Sequence, residues 1–320
     1  MAKLTGGLTL EITAREQLTP DIVRIDLARA DGSELPPFAA GAHIDVAVGD
    51  DMVRQYSLCN DPAERHRYQI AVLREQQSRG GSARVHDAFH PGRQVIVGAP
   101  RNLFALSPEA GRHILIGGGI GITPIMSMAA ALTADRAPFE LHYCCRTRGT
   151  AAFMGPVEQL GGRNYFSQED EAARFAPAAV LGQPDAGTHL YVCGPVGFMN
   201  AVREEALRLG WAEANVHREL FEAAEPLTQD GDQPFDVRIA STGATFTIPP
   251  GSSVFSVLAL AGVDVPVSCE QGVCGTCVTG VLEGVPDHRD SYLTDEERDE
   301  GKLFTPCCSR ARSPLLLLDL

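Results

Sequence analysis

Residues 269–277, CEQGVCGTC, place Cys269, Cys274 and Cys277 within nine positions, and Cys307 and Cys308 follow after 29 more residues. A redox disulfide needs two thiols. A closed zinc site takes four, commonly as two C-x2-C knuckles, of which this segment has one. C-x4-C-x2-C completed by a distant cysteine is instead the ligand spacing of a plant-type [2Fe–2S] cluster. Such a cluster needs four thiolates converging on two irons, with backbone N–H groups turned toward its sulfides. Gly272 and Gly275 let the chain wrap that closely, because glycine reaches backbone conformations other residues avoid. The spacing leaves open whether Cys307 or Cys308 completes the set. Cys59, Cys144, Cys145, Cys193 and the remaining member of that pair read mostly as small buried hydrophobes.

Upstream, four short stretches suit phosphates and rings. RQYSL (54–58) alternates on a strand so that Arg54, Tyr56 and Leu58 share one face and Ser57 takes the other. RGGS (79–82) opens a helix, where N–H groups and small residues admit a phosphate. Arg54 supplies a counter-charge and Tyr56 an aromatic face for a flavin; the alternative is a core tyrosine beside a turn. GGGIGITP (117–124) follows a strand and starts a helix, with Thr123 as the expected N-cap and Pro124 at the first helical position. It departs from G-x-G-x-x-G, since Ile122 stands at the sixth position. CGPVGFM (193–199) repeats the design after another strand. Either loop alone could be an unliganded turn. Two at the carboxyl ends of parallel strands lie where open α/β sheets bind ligands.

The elements that must position these residues fall into three blocks. Six short strand patterns (LTLEIT, IVRIDLA, HIDVAV, VRQYSL, RYQIAVL, QVIVGAP) fill residues 1–105, with one helix at 81–89, and predict an antiparallel β-barrel. Residues 106–222 alternate strands and helices, the pattern of a parallel-sheet α/β nucleotide-binding domain. Residues 223–233 are polar with Pro and Gly and read as a linker. Residues 234–320 contain a hairpin, a helix, the cysteine loop and a closing strand, SPLLLLDL.

Composition removes whole classes of function. The chain has 320 residues, 44% hydrophobic and 21% charged, with a net charge of −14, the opposite of a nucleic-acid footprint. Its last block carries 6 positive and 12 negative charges, which suits docking on a basic patch or simple solvation. The uncharged run Ile114–Ala134 has four glycines and a proline in its first half, better explained by a buried strand, turn and helix than by a membrane span. The N-terminus shows no signal-peptide pattern, so the expectation is a soluble cytoplasmic protein. HRD (288–290) is similar to a kinase catalytic loop but lacks the accompanying motifs, and reads as a loop ion-pair or cap cluster.

Taken in order, RQYSLCND, RGGS, GGGIGITPI, HYCCR, CGPVGFM, CEQGVCGTC, DHRDSYLT and CCSRA resemble the phthalate dioxygenase reductase family over essentially the whole chain. The resemblance implies a multidomain protein: an antiparallel β-barrel flavin domain, an α/β nucleotide-binding domain and a C-terminal β-grasp [2Fe–2S] ferredoxin domain. It implies FMN on Arg54, Tyr56, Ser57, Gly81 and Ser82, with the backbone of Val72 and Leu73 at the ring and Phe221 as its aromatic cover. It implies NADH on Gly118, Gly119, Ile120, Gly121, Thr123, Cys193, Gly194 and Pro195. Cys269, Cys274, Cys277 and Cys307 become the cluster ligands, Cys307 being the cysteine the family aligns. Cys308 departs from the family, where that position is often aliphatic. The implied activity is an NADH-dependent oxidoreductase, a monomer that feeds single electrons to a separate Rieske-type aromatic dioxygenase or O-demethylase. Arg146 and Arg148, just past HYCC, either meet the 2′-phosphate of NADPH or face solvent. A FAD-containing reductase for another monooxygenase, such as a steroid hydroxylase, and a redox sensor or zinc-stabilised binding protein are the alternatives.

Overall fold

The computed structural model describes residues 7–49, 52–76, 80–169, 174–221, 229 and 231–320. Arg79 of RGGS and all of the 223–233 linker except 229 and 231–233 lie outside the described residues. The chain divides into two compact units, Lys3–Glu219 and Leu220–Leu320.

The first unit begins with β1 (Leu8–Thr19), β2 (Ile22–Ala28), β3 (His43–Gly49), β4 (Met52–Ser57), β5 (Tyr68–Leu73), α1 (Gly81–Ala88) and β6 (Gln94–Val97). The six strands form one antiparallel sheet in the order β4-β3-β6-β1-β2-β5, and a bridge between Leu58 and Ile70 joins its ends into a barrel. β6 shows why: Val95 and Val97 point inward while Gln94 and Ile96 point out, the two-residue period of a half-buried strand. β1 runs six residues beyond the alternating LTLEIT segment, with register shifts at Ile12/Ala14 and Gln17/Thr19. Bulges of this kind break the period on which a sequence reading relies.

The unit continues with β7 (Arg112–Gly118), α2 (Ile122–Ala134), β8 (Phe139–Cys145), α3 (Met154–Gln159), β9 (Arg163–Phe166), α4 (Pro177–Leu181), β10 (Thr188–Cys193), α5 (Val196–Arg208) and β11 (Val216–Glu219). These strands make a parallel sheet ordered β11-β10-β7-β8-β9. After β7 the chain builds outward to β9, then returns to lay β10 on the other side of β7, which creates a topological switch point between β7 and β10. The apolar run at 114–134 is β7 and α2, and nine of the thirteen α2 residues are buried. Apolar nearly all round, α2 is a core helix. Ile122, Ile125 and Met128 share one cluster with barrel residues Ile22, Ala40, Ala71 and Phe104. Each fully buried aliphatic side chain of this kind stabilises by about 1.5–3 kcal/mol, so the two sheets hold together as one unit.

The α2 start differs from expectation. A 3-10 turn at Gly119–Gly121 precedes it, and the helix begins at Ile122, so Thr123 and Pro124 are its second and third residues. Thr123 Oγ1 donates to the Ile120 carbonyl at 3.0 Å rather than capping an N–H. Pro124 still fits, because the first turn of a helix has no acceptor waiting for its missing N–H.

The second unit contains β12 (Phe235–Ile239), β13 (Thr245–Ile248), α6 (Val254–Leu260), β14 (Thr279–Glu283), β15 (Pro286–Asp287), α7 (Asp295–Glu300), β16 (Leu303–Phe304), β17 (Arg310–Ala311) and β18 (Leu315–Asp319). Its sheet is ordered β13-β12-β18-β14-β16, with β15 and β17 paired separately. The leucine run of SPLLLLDL is the central strand, parallel to β12 and antiparallel to β14. Leu316 and Leu318 are fully buried in it.

The HRD segment is an ion-pair node. Arg289 Nη2 lies 2.6 Å from Asp232 Oδ1 and 2.9 Å from Asp287 Oδ2, and Arg310 Nε lies 3.5 Å from Asp232 Oδ2. The Arg289 guanidinium holds the Asp232 carboxyl below the usual carboxylate range. Removing one partner of a buried pair leaves a charge without compensation, at about 3–5 kcal/mol. Arg310 remains near Asp232, so Arg289→Ala is expected to cost about 3 kcal/mol, the low end of that range. Urea unfolding followed by circular dichroism checks this, and an unchanged midpoint would contradict it.

Candidate functional site

On β4, Arg54 and Tyr56 are half-buried, but Leu58 does not share their exposure. The strand ends at Ser57, and Leu58 turns fully into the barrel core. Arg54 Nη1 donates to the Val53 carbonyl at 2.7 Å. Its stem runs over the start of α1: a Cβ on Gly81 would lie 2.9 Å from Arg54 Cγ and 3.0 Å from Nε. Arginine and helix N-terminus are thereby brought to one place, as a phosphate requires. Ser82 Oγ accepts the Glu75 N–H at 3.1 Å. Tyr56 packs at the edge of the barrel core, and burial pushes its phenol upward. Across the barrel seam, Val72 is buried with its carbonyl 3.0 Å from His86 Nε2, and Leu73 is half-buried. Phe221, in the second unit, is 38% exposed.

The two glycine loops meet at the switch point. A Cβ on Gly121 would lie 2.5 Å from the Cys193 carbonyl carbon and oxygen and from Gly194 N. A Cβ on Gly194 would lie 2.9 Å from Gly118 Cα, and one on Gly118 would meet Phe198 and Pro195. Backbone therefore touches backbone, and the glycines set the spacing between β7 and β10 at their carboxyl ends. Gly118, Gly119, Ile120, Gly121, Thr123, Cys193, Gly194 and Pro195 all fall within this one junction. Beside it, Arg148 is committed: its Nε is 3.3 Å from Glu169 Oε2 and its guanidinium stacks 4.6 Å over Phe166. Arg146 is exposed.

One residue here escaped the sequence reading. Ser57 Oγ lies 3.3 Å from Glu219 Oε2, and Glu219 pairs in register with Cys193 across β11 and β10. Burial pushes the Glu219 carboxyl up to about 8 and the Cys193 thiol well above its ordinary range. Glu219 thus holds a proton near Ser57 Oγ at neutral pH. The folded protein keeps that proton between about pH 4.5 and 8 while the unfolded chain releases it. This contribution to stability is therefore complete below about pH 4.5 and lost as pH rises to about 8. Urea midpoints at pH 6 and 8.5 are expected to fall further for the wild type than for Glu219→Gln; equal falls would contradict the assignment.

In the second unit, Cys269, Cys274, Cys277 and Cys307 are 9%, 5%, 3% and 4% exposed, so four sulfurs are buried together without a disulfide. Cys277 Sγ lies 3.3 Å from Cys307 Sγ, while Cys269 contacts both Cys274 and Cys307. The Gln271 N–H donates to Cys269 Sγ at 3.3 Å. Those sulfur contacts and the N–H groups of Gln271 and Val273 draw the Cys269 thiol far below its ordinary range. Gly272 and Gly275 have φ +73° and +68°, the left-handed region where a side chain is strained. A Cβ on Gly275 would also lie 2.1 Å from the Tyr292 ring. Soft sulfur donors, donated N–H groups and a glycine-built loop fit the group inferred from the spacing, an iron–sulfur cluster.

Comparison with known proteins agrees with this geometry. The 2Fe-2S iron-sulfur cluster binding domain family matches residues 237–312, and the N-terminal domain of dimethylamine monooxygenase subunit DmmA-like proteins matches residues 99–216. A vanillate O-demethylase oxidoreductase from Pseudomonas sp. is 47% identical over 313 residues, covering 97% of this chain and 98% of the relative. Among solved structures, phthalate dioxygenase reductase, described as a modular structure for electron transfer from pyridine nucleotides to [2Fe–2S], matches with TM-score 0.78 and 39% identity over 98% of each chain. A type IV self-sufficient cytochrome P450 monooxygenase matches with TM-score 0.83 and 37% identity, over 98% of this chain and 41% of that one.

Proposed function

Because the chain belongs to the phthalate dioxygenase reductase family, we propose that it is the NADH-dependent reductase component of a multicomponent oxygenase, feeding single electrons to a separate Rieske-type partner. The observation that carries this is the buried convergence of Cys269, Cys274, Cys277 and Cys307 in a chain that also bears the paired nucleotide loops. When bound, FMN accepts the hydride pair of NADH and gives it up as single electrons, which a [2Fe–2S] cluster relays one at a time.

The chain's own residues bind and orient. Arg54 neutralises the FMN phosphate beside the N–H groups of Gly81 and Ser82. Tyr56 would offer its ring to the flavin, with Val72 and Leu73 beside it, and the resemblance adds Ser57 and Phe221 to the flavin residues. Gly118–Gly121, Thr123 and Cys193–Pro195 seat the NADH pyrophosphate. Glu219 holds a proton at Ser57 Oγ. Cys269, Cys274, Cys277 and Cys307 ligate iron. Cys307 is preferred to Cys308 because its sulfur meets those of Cys269 and Cys277, whereas Cys308 is held by Thr305 at 3.3 Å. We take the domains as a flavin barrel at 1–105, a nucleotide-binding domain at 106–222 and a ferredoxin domain at 234–320, with a linker at 223–233.

Arg148 is tied to Glu169 and Phe166, which favours NADH over its phosphorylated analogue. No described helix is long and apolar enough to cross a membrane. We place the protein in the cytoplasm as a monomer. The likeness to a self-sufficient P450 supports a second reading, in which the separate partner is a P450. Two assays test the cofactor set: identification of the flavin released by acid, and kcat/KM for NADH against NADPH. FMN and a higher value for NADH are expected; released FAD or a preference for NADPH would contradict the assignment.

A further inference from the structure

The barrel closes through one bridge, Leu58 to Ile70, and among the described residues no further bridge joins β4 to β5. Continuing that antiparallel register sets Tyr56 opposite Val72, and both belong to one core cluster. The direction of the backbone groups at this seam is also fixed. The Arg74 N–H donates to the Asp21 carbonyl at 2.7 Å, and the Cys59 N–H to the Gln69 carbonyl at 2.9 Å. Such groups alternate along an antiparallel strand, so those of Val72 face Val23 on β2, whereas those of Ala71 and Leu73 face the seam. Leu73 therefore turns a peptide N–H and a carbonyl toward β4, which carries Arg54 and Tyr56.

One buried side chain holds this edge from behind. His86, on α1 and 7% exposed, places Nε2 3.0 Å from the Val72 carbonyl oxygen. A carbonyl can only accept, so that nitrogen carries the hydrogen and donates it. The turn of α1 that bears the ring is itself fixed. Arg15 Nη2 donates to the His86 carbonyl at 3.2 Å, and the neighbouring Val85 is fully buried in the barrel. Two further contacts join α1 to the end of β5: Ser82 Oγ accepts the Glu75 N–H at 3.1 Å, and Arg74 Nη1 lies 3.0 Å from Asp87 Oδ1. Both are exposed, where water screens them. Of these three ties only the imidazole's is buried.

We propose that His86 is a positioning residue for the flavin, its bond to the Val72 carbonyl fixing the Leu73 edge of β5 against the helix that receives the phosphate. This rests on the placing of FMN given above, with its phosphate at Arg54 and the start of α1. The phosphate end of that site belongs to α1 and the ring end to β5. A ligand spanning both binds at full strength only when their spacing is set beforehand, because otherwise binding must order them. The Leu73 N–H and carbonyl are one donor and one acceptor, the groups that the polar edge of a flavin ring can meet. His86 acts on the ring only through Val72, and simple packing by its imidazole would need no N–H.

The test compares full-length holoprotein of the wild type, His86→Phe, His86→Gln and Arg54→Ala. FMN dissociation is read from flavin fluorescence on serial dilution, alongside the visible flavin band and circular dichroism. His86→Phe keeps a flat ring without the donor and is expected to weaken FMN binding about tenfold, the loss of one buried hydrogen bond. Its flavin band is expected to move toward that of free FMN. Gln carries an N–H near the position of Nε2 and is expected to restore most of both. A Phe protein with wild-type FMN binding and flavin band would overturn the proposal, as would equal weakening in Phe and Gln. A Phe protein that loses its circular dichroism signal together with FMN would make the bond a requirement of the barrel, and would equally overturn it. A wild type that releases no FMN, or Arg54→Ala with unchanged FMN binding, would instead refute the cofactor placing on which the proposal rests.

Discussion

Cys277→Ser is expected to disconnect input from output. NADH should still bleach the flavin and drive reduction of ferricyanide, whereas electron delivery to the oxygenase partner should fall by more than the about 100-fold that loss of a ligand's outer-shell support costs. The reason is position. Cys277 is 3% exposed and its sulfur lies 3.3 Å from that of Cys307, so it stands among the converging sulfurs. Serine offers a harder, shorter donor that suits iron–sulfur ligation poorly. Cys277 also belongs to the hydrophobic core of its unit, with Phe235, Phe304 and Leu316, so some loss of stability should accompany the lost cluster. The paired assays, ferricyanide against the protein acceptor, distinguish the two effects: an unfolded protein fails both. Equal rates to wild type in both would contradict the ligand role.

Gly121→Ala is expected to damage the opposite end of the relay. The added methyl would sit 2.5 Å from backbone atoms of Cys193 and Gly194, and neither strand end has a flexible side chain that could yield there. The loops must part by about 1 Å to reach ordinary contact, and a displacement of that size at a reacting geometry costs about 100-fold. kcat/KM for NADH should fall accordingly, with flavin and cluster spectra intact. Full activity with NADH would show that the spacing of these loops does not govern nucleotide binding.

Much of this was legible in the residues, and the gaps have identifiable causes. The cysteine spacing and the three-block rhythm point to the same architecture that the sheets display, because ligand spacing and strand period are local properties. SPLLLLDL reads as a strand, but only pairing reveals that it is the central one. β1 beyond Thr13 is hidden by bulges that destroy alternation. α7 was overlooked although Thr294 and Glu297 form a capping box, a signature present in the sequence as TDEE. The glycines at 118, 121 and 194 were read as room for a phosphate; they also make room for each other's backbones, a contact between segments seventy residues apart. Glu219 left no trace in the sequence, since a carboxylate in RELF gives no sign of being half-buried against Ser57. Thr123 is not the cap because the 3-10 turn at Gly119–Gly121 sets the helix start two residues earlier than Pro124, at Ile122.

The central claim is that one chain carries hydride acceptance and single-electron delivery in series. The most direct measurement is an EPR spectrum of the purified protein after addition of NADH without oxygen, taken with its absorbance spectrum. The account predicts loss of the flavin bands together with the rhombic signal of a reduced [2Fe–2S] cluster. Flavin bleaching without that signal, in protein containing two irons and two sulfides, would contradict the relay.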